Sequence, residues 1–283
     1  MDQNASVITN ERLQHMADAL TRVPGIDAVV LGGSRARGTH HDASDVDLGI
    51  YYHAEDFDLE ALTQQTGAFS DAGRMEVAGP GGWGPWVNGG GWLTVEGTPV
   101  DWILRDLDRV REQCRRAVAG EYAFHSQPGH PLGFLDVSYA GEIATCVPLA
   151  DPAGIVAETR KALVPYPPAL RSALIGNLWQ AGFLVDAARK GLPKGDSAYV
   201  MLCCSSALMV CAHAWHAQAG SWPTNEKGLV VDVARLDLDS HDFSARADAA
   251  MRRAGDDEGS VASVIDAVAR LVDETRGALD TNR

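Results

Sequence analysis

The sequence lacks an apolar run long enough to cross a membrane. Its longest such run, Ala198 to Ala212, is shorter than the roughly 20 residues that a spanning helix needs, and it contains Ser205 and Ser206. The amino terminus, Met1 to Asn4, is polar and acidic, and it is not followed by the basic and apolar regions of a secretory signal. We therefore expect a buried helix at 198–212, no membrane partner and a cytoplasmic protein.

Cysteine and positive charge are also scarce. Five cysteines are an odd number and too few for a disulfide framework in 283 residues, so reduced thiols are expected. The formal net charge of −14 opposes non-specific binding to nucleic acid, because that affinity comes mostly from Lys and Arg at the phosphates. A neutral or cationic small molecule suits this surface better than a nucleic acid does.

The chain is long enough for two domains with sizeable cores, since 46% of its 283 residues are hydrophobic. Strand signals stop after Asp151-Pro152, and helical periodicity follows. We predict an α+β domain at 1–150 and an all-helical domain at 151–283. Two apolar stripes mark predicted helices of the second domain: Leu170, Leu174, Leu178 and Val185, and then Val261, Val264, Val268 and Leu271.

The first domain reads as strands separated by helices and turns. Apolar residues at helical spacing predict a helix up to Leu20, which the Pro24-Gly25 pair follows. Further elements are predicted in this order: a strand at 28–31, a short helix or turn at 35–38, a strand at 45–52, a helix at 58–65, a hairpin of strands 92–96 and 100–104, and a helix from Asp106.

A glycine-serine bend follows the first predicted strand. Gly32 and Gly33 let the backbone approach a ligand closely, and Ser34 adds a hydroxyl and exposed N–H groups at a helix start. Such a bend is typical of an anion site. We expect a phosphate to bind there.

Three acidic residues are predicted to meet beside this bend. Asp45 and Asp47 are two apart on one strand, so both side chains point to one face. On the hairpin strand, alternation with Val100 and Trp102 lets Asp101 join them. Three carboxylates can hold two Mg²⁺ ions, which suit hard oxygen ligands and could clamp the oxygens of an in-line phosphoryl displacement.

These residues resemble the signature of the DNA polymerase β-like nucleotidyltransferase superfamily: G-S, about ten residues, D-x-D, and a third acid on a later strand. Gly33-Ser34, Asp45-Val46-Asp47 and Asp101 match it. The resemblance covers about residues 8–110. It implies a mixed sheet flanked by helices, an NTP at Gly33-Ser34, and catalytic metals at Asp45 and Asp47.

A catalytic domain followed by a helical domain looks like the antibiotic nucleotidyltransferases that modify aminoglycosides or lincosamides. The resemblance implies transfer of a nucleoside monophosphate, AMP in the first place, from a Mg-NTP such as ATP to a hydroxyl of a small acceptor, with release of pyrophosphate. Enzymes of this kind commonly use a lysine of the helical domain at the triphosphate, and Lys227 is the candidate here. A monomer or a homodimer is expected.

Several assignments stay open. The general base is Asp101, which we favour, or Glu96 or Glu76. Arg35 and Arg37 either bind phosphate or are solvated surface residues. The acceptor could instead be a protein or a tRNA. A non-catalytic nucleotide-binding regulatory protein is a further alternative.

Two residue clusters also allow two interpretations. The glycine-rich segment 79–92 predicts a flexible loop, whose Trp83, Trp86 and Trp92 either form a stacking wall for a ring or pin the loop to the domain. Cysteines and histidines gather between 203 and 216 and could suggest zinc. Their spacing on an apolar helical face favours core packing instead.

Overall fold

The computed structural model describes residues 8–41, 44–255 and 257–280. The chain divides into two compact units. The first consists of the chain up to Ala117 together with Tyr122–Pro165, and the second consists of Val118–Glu121 and the chain from Tyr166 onward.

A five-stranded mixed sheet forms the centre of the first unit. Its strand order is β3-β4-β2-β1-β7, with β2 and β4 parallel and the other neighbours antiparallel. A separate hairpin consists of β5 and β6. The strands are β1 (Ile26–Leu31), β2 (Val46–Tyr52), β3 (Gly90–Val95), β4 (Thr98–Asp106), β5 (Phe124–Gln127), β6 (His130–Leu135) and β7 (Val147–Ala150).

Six helices accompany these strands, and two of them cover one face of the sheet. They are α1 (Asn10–Leu20), α2 (Gly33–Ala36), α3 (Leu59–Phe69), α4 (Leu107–Ala119), α5 (Ser138–Thr145) and α6 (Ile155–Arg160). The Thr9 hydroxyl caps α1 by accepting a hydrogen bond from the Arg12 amide. Met16 and Leu20 of α1 and Leu62 of α3 are fully buried in the core beneath the sheet.

Strict alternation along β2 and β4 sends their apolar side chains into this core. Leu48, Ile50, Trp102 and Leu104 are all fully buried there. The indole Nε1 of Trp102 donates to Sδ of Met16 at 3.2 Å. The residues between them in the sequence therefore belong to the opposite face of the sheet.

The predicted fold class is confirmed: a mixed sheet flanked by helices precedes a helical region. The predicted elements up to Asp106 are present with bounds shifted by a few residues. Between 107 and 150 the sequence predicted only a helix from Asp106, whereas the structure adds the β5–β6 hairpin, α5 and β7. Their strands are short, and an ion pair between Asp136 and Arg116 helps to hold the hairpin.

Helices make up the second unit. They are α7 (Pro168–Gly176), α8 (Leu178–Gly191), α9 (Ser197–Ala219), α10 (Phe243–Met251) and α11 (Glu258–Asp280), with 3₁₀ turns at 192–194 and 231–235. The apolar stripe from Leu170 to Val185 was predicted as one helix, whereas the structure divides it between α7 and α8. Asn177 is both the C-cap of α7 and the N-cap of α8. Gly191 ends α8, and Gly220 caps α9.

Helix α9 is long and apolar enough to cross a membrane by length and composition. In the structure it is instead the central helix of the second unit, with Cys204, Leu208 and Cys211 buried against its neighbours α8 and α11. The buried helix predicted at 198–212 is thus present.

The two units divide at Pro165, whereas the predicted boundary lies at 151. Helix α6 stays with the first unit because Arg160 donates to the carbonyl of Ile143 at 2.9 Å and also bonds to the carbonyl of Cys146. These hydrogen bonds tie α6 to α5 and to the start of β7. The substrate-binding role of the helical part stays a prediction.

Candidate active site

The loop after β1 places its backbone against a carboxylate of β2. The Gly32 amide donates a 2.8 Å hydrogen bond to the carbonyl of Asp47. Gly33 has a left-handed backbone with φ of +59°, and a Cβ added there would lie 1.7 Å from Oδ2 of Asp47. Backbone conformation and space both require glycine at this position. The short helix α2 begins here, so the Gly33-Ser34 bend lies directly beside Asp47.

The structure brings Asp45, Asp47 and Asp101 together. Asp47 and Asp101 are register partners in the parallel β2–β4 pair, so their side chains share the face opposite the α1–α3 core. One carboxylate oxygen from each of the three residues lies within 4.8 Å of the others. This is the convergence that the D-x-D spacing and the later strand acid predicted.

These three carboxylates disfavour one another's charge. Burial, together with the charges of Asp47 and Asp45, raises the pKa of Asp101 from the ordinary 3.8 to about 6. Burial also raises the pKa of Asp47, and the charge of Asp45 adds to this. A cluster of hard oxygen donors that repel one another fits a divalent cation such as Mg²⁺. The residues present therefore suit the predicted metals.

Removing one of these charges should stabilise the metal-free protein in a pH-dependent way. The raised pKa of Asp101 means that the fold prefers the protonated acid, and this stabilisation is present below pH 4 and lost as the pH rises through about 6. We expect Asp101→Asn in EDTA to melt on the order of 2–4 °C above wild type at pH 8, a shift that corresponds to ~1 kcal/mol. Partial exposure keeps the effect modest.

Thermal unfolding of both proteins at pH 4 and pH 8 measures this difference. The gain should vanish at pH 4, where wild-type Asp101 is already protonated. An equal gain at both pH values would mean that repulsion among the acids is not its cause.

Two arginines lie around the bend. Arg35 donates to the carbonyl of Asp45 at 3.1 Å and to that of Ser44 at 2.9 Å, so part of its guanidinium fixes the segment that carries Asp45. The charge of Arg37 lowers the pKa of Asp47. Arg37 is therefore within electrostatic reach of the acid cluster. Phosphate binding by either arginine stays a prediction.

Comparison with known proteins shows which family a segment of the chain resembles. Residues 14–71, which contain the Gly33-Ser34 bend, Asp45 and Asp47, match the family model described as nucleotidyltransferase domain. The predicted resemblance is confirmed at this level, and the match supports nucleotidyl transfer as the general activity. Asp101 lies beyond the matched segment.

A solved structure is also similar to the chain. It is described as a nucleotidyltransferase-like protein from Exiguobacterium sibiricum 255-15, with 10% sequence identity and a TM-score of 0.48. The similarity covers 95% of this chain and 79% of that one. No curated protein matches the chain by sequence.

The three candidates for the general base have different surroundings in the first unit. Asp101 lies within the acid cluster. Glu96 lies in the β3–β4 turn, where its carboxylate pairs with Arg12 of α1 at 3.2 Å, on the side of the sheet that the helices cover. Glu76 is exposed and next to Val77, which is buried in the core. Asp101 and Glu76 stay candidates.

Lys227 belongs to the second unit, outside the matched segment 14–71. Its side chain is exposed, and its backbone amide donates to Oδ1 of Asn225 at 2.9 Å. A contact with a bound triphosphate stays a prediction.

The glycine-rich segment 79–92 is more ordered than its composition indicates. Gly81, Gly84 and Gly90 have positive φ values and provide turns. Asn88, which sequence reasoning missed, is buried and links these turns: its Nδ2 donates to the Tyr52 hydroxyl at 2.9 Å, and its Oδ1 accepts from the Gly81 amide at 2.9 Å. An asparagine amid glycines, able to adopt a left-handed backbone, was the available signal.

The three tryptophans of this segment have different surroundings. Trp86 stacks on the His125 ring at a centroid distance of 3.9 Å, and the Arg109 guanidinium lies over the Trp86 ring, 5.1 Å from its centroid. Trp86 therefore pins the loop to the domain, which is one of the two predicted roles. Trp83 and Trp92 instead stack on each other, with centroids 4.5 Å apart and an angle of 14° between the rings.

A buried ion pair near the acid cluster was not predicted. Arg105, on the acid-bearing face of β4, donates to both carboxylate oxygens of Glu142 at 2.6 and 2.7 Å, and also to the carbonyl of Val87 at 2.9 Å. It thereby links the sheet, α5 and the glycine-rich loop. The sequence signal for Arg105 was its even spacing from Asp101, which places both side chains on the same face of β4. The positive charge of Arg105 lowers the pKa of Asp47.

The cysteines and histidines of α9 are core residues. Cys203, Cys204, Cys211, His213 and His216 are all buried, and burial lowers the pKa of His213 to about 3. His213 is therefore a neutral histidine of the interior. Among residues 8–41, 44–255 and 257–280, the His, Cys, Asp and Glu side chains that lie close enough together to hold a metal are those of Asp45, Asp47 and Asp101. Core packing was the favoured interpretation.

Proposed function

We propose that the protein transfers a nucleoside monophosphate from a Mg-NTP, ATP in the first place, to a hydroxyl of a small acceptor. The observation that carries this proposal is the convergence of Asp45, Asp47 and Asp101 within 4.8 Å beside the glycine-serine bend. Acidic side chains repel one another, so surface acids without a ligand are not expected to converge beside a bend where only glycine fits. The family match supports the transfer in general.

Each part of the site has a proposed task. Asp45, Asp47 and Asp101 would hold two Mg²⁺ ions, which supply charge neutralisation at the phosphates and acidify the attacking hydroxyl when bound. The bend at Gly33-Ser34 would hold the triphosphate through its backbone amides, assisted by Arg37. Lys227 is the proposed further triphosphate ligand.

The reaction exchanges one phosphorus–oxygen bond for another. The acceptor hydroxyl oxygen bonds to the α-phosphorus, the bond from that phosphorus to the bridging oxygen breaks, and pyrophosphate leaves. The hydroxyl proton passes to a carboxylate. Asp101 is the proposed base, because its carboxylate lies within the acid cluster where the acceptor hydroxyl would react.

The acceptor class rests on charge and architecture. A net charge of −14 favours a cationic or neutral small molecule, and a helical unit follows the catalytic part, as in the enzymes that modify aminoglycosides or lincosamides. A cytoplasmic setting is part of the proposal, and the five free, buried cysteines are consistent with it.

Incubation with Mg-ATP and a panel of aminoglycosides and lincosamides tests the proposal. We expect pyrophosphate release that depends on one acceptor, together with a mass gain of one nucleotidyl group on that acceptor. The other three NTPs in parallel reactions show which nucleotide is used.

Absence of pyrophosphate with every small acceptor and every NTP would contradict the proposed function. Labelled ATP in cell lysate then distinguishes the alternatives. Label on a protein or a tRNA would identify a macromolecular acceptor, whereas bound but unreacted ATP would identify a regulatory module.

A further inference from the structure

The stacked pair Trp83–Trp92 lies beside the acid cluster in the first unit. Trp92 of β3 is the register partner of Asp101 on β4, and directly opposite residues of an antiparallel pair project from the same face. Trp92 is therefore on the acid-bearing face. It is next to the carboxylate that we propose as the base.

The indole of Trp92 is open to solvent although it is large and apolar. It is 65% exposed, while Trp83 covers one of its faces at a centroid distance of 4.5 Å. Most of the indole of Trp92 is therefore not used to stabilise the fold, because an indole gains free energy only from the area that leaves water. The second face of Trp92 is thus available for a flat ligand group.

Hydrogen bonds and close packing hold Trp83, the residue that supports Trp92, in place. Trp83 donates its amide to the carbonyl of Asn88 at 2.8 Å and accepts at its own carbonyl from Nε2 of Gln127 at 2.7 Å. Gly90 lets the Trp83 ring lie close to the strand, since a Cβ there would be 2.9 Å from Cη2 of that ring and 1.8 Å from the carbonyl of Trp102. A preorganised surface loses little entropy on binding.

The strand order indicates whether the Trp83–Trp92 stack faces the nucleotide or the acceptor. The glycine-serine bend follows β1, and the order β3-β4-β2-β1 places both acid-bearing strands between that bend and Trp92. In an in-line displacement the attacking and leaving oxygens lie on opposite sides of the phosphorus. With the triphosphate at the bend, the attacking hydroxyl enters from the side of Asp101 and Trp92.

We infer that the Trp83–Trp92 stack is the acceptor-positioning surface of the site, on which a ring of the acceptor lies flat with its hydroxyl directed at Asp101. The inference rests on the proposed function and narrows its acceptor to a ring-bearing molecule. The nucleobase is bound elsewhere.

The experiment compares Trp92→Ala, Trp92→Phe and Trp179→Ala in the whole chain of 283 residues. Trp179 is a matched control because it is 63% exposed on α8 in the second unit. Kanamycin and lincomycin serve as acceptor probes. Their dissociation constants and that of Mg-ATP are measured by calorimetry, and KM values for both substrates accompany them.

We expect Trp92→Ala to weaken binding of the accepted probe ~10-fold, the size of one aromatic stacking contact. Mg-ATP affinity and melting temperature should be unchanged, Trp92→Phe should restore most of the acceptor affinity, and Trp179→Ala should resemble wild type. A selective rise in acceptor KM, with the KM for ATP constant, would be the corresponding kinetic result.

Two results would overturn the inference. Weaker Mg-ATP binding by Trp92→Ala, with or without turnover, would make the stack a nucleobase surface. Unchanged binding of both substrates would remove it from the site. Failure of the proposed function is a separate result, since it is absence of pyrophosphate release by the wild-type protein.

Discussion

Replacing Gly33 with alanine is expected to reduce nucleotidyl transfer at least ~1000-fold, which corresponds to ~4 kcal/mol of transition-state stabilisation. The new Cβ would fall 1.7 Å from Oδ2 of Asp47, a distance at which one of the two groups must move. Either the carboxylate turns away from the cluster or the bend moves away from β2. Both movements separate the proposed phosphate site from a proposed metal ligand.

Gly38→Ala is the matched control for this prediction. Gly38 lies in the same loop and is also left-handed, with φ of +68°, but a Cβ there meets nothing within 4 Å. Both variants therefore have a similar backbone strain of ~1 kcal/mol, and only Gly33→Ala has the clash. Initial rates of pyrophosphate release and melting temperatures of both variants measure the difference. Equal activity of the two variants would show that contact with Asp47 is unimportant.

Asp47→Asn is expected to abolish turnover while leaving the fold intact. The amide keeps the shape of the side chain but removes the charge that a divalent cation needs, at a cost of several kcal/mol in the transition state and thus ~1000-fold or more in rate. Because burial and Asp45 raise the pKa of Asp47, the ionised carboxylate is unfavourable in the metal-free protein. The variant should therefore melt at or above the wild-type temperature in EDTA.

Mg²⁺ titrations followed by thermal shift provide the complementary measurement. Wild type should be stabilised by Mg²⁺, and Asp47→Asn should lose this response. Asp56→Asn, in the exposed turn after β2, is the control and should behave as wild type. A large drop in melting temperature for Asp47→Asn, or full activity, would contradict the role assigned to this carboxylate.

The sequence predicted the first half of the sheet well because its signals are local. Leu48 and Ile50 alternate with Asp47, and the Gly97-Thr98-Pro99 turn predicts the β3–β4 hairpin. The edge strand β7 has only four residues, too few for a periodic signal, and its place depends on pairing with β1. The break at Asn177 was missed because the apolar stripe continues across it.

The candidate site shows the same contrast between local and distant information. The position of the glycine bend beside Asp47 could be predicted from the sequence, because the bend and the D-x-D motif are close together in the chain. The Arg105–Glu142 ion pair could not, because its partners meet only after α5 folds onto the sheet. The separate roles of Trp86 and Trp92 also depended on tertiary contacts that glycine-rich composition does not reveal.

The parallel pairing of β2 and β4 has a consequence for how the acid cluster assembles. Asp47 and Asp101 are far apart in the chain, and α3 and the glycine-rich segment come between them. Their meeting requires closure of a long loop, whose entropy cost precedes any stabilising contact and slows folding. The matched segment 14–71 has only two of the three acids. A nascent chain therefore cannot complete its set of metal ligands until β4 has been synthesised and paired.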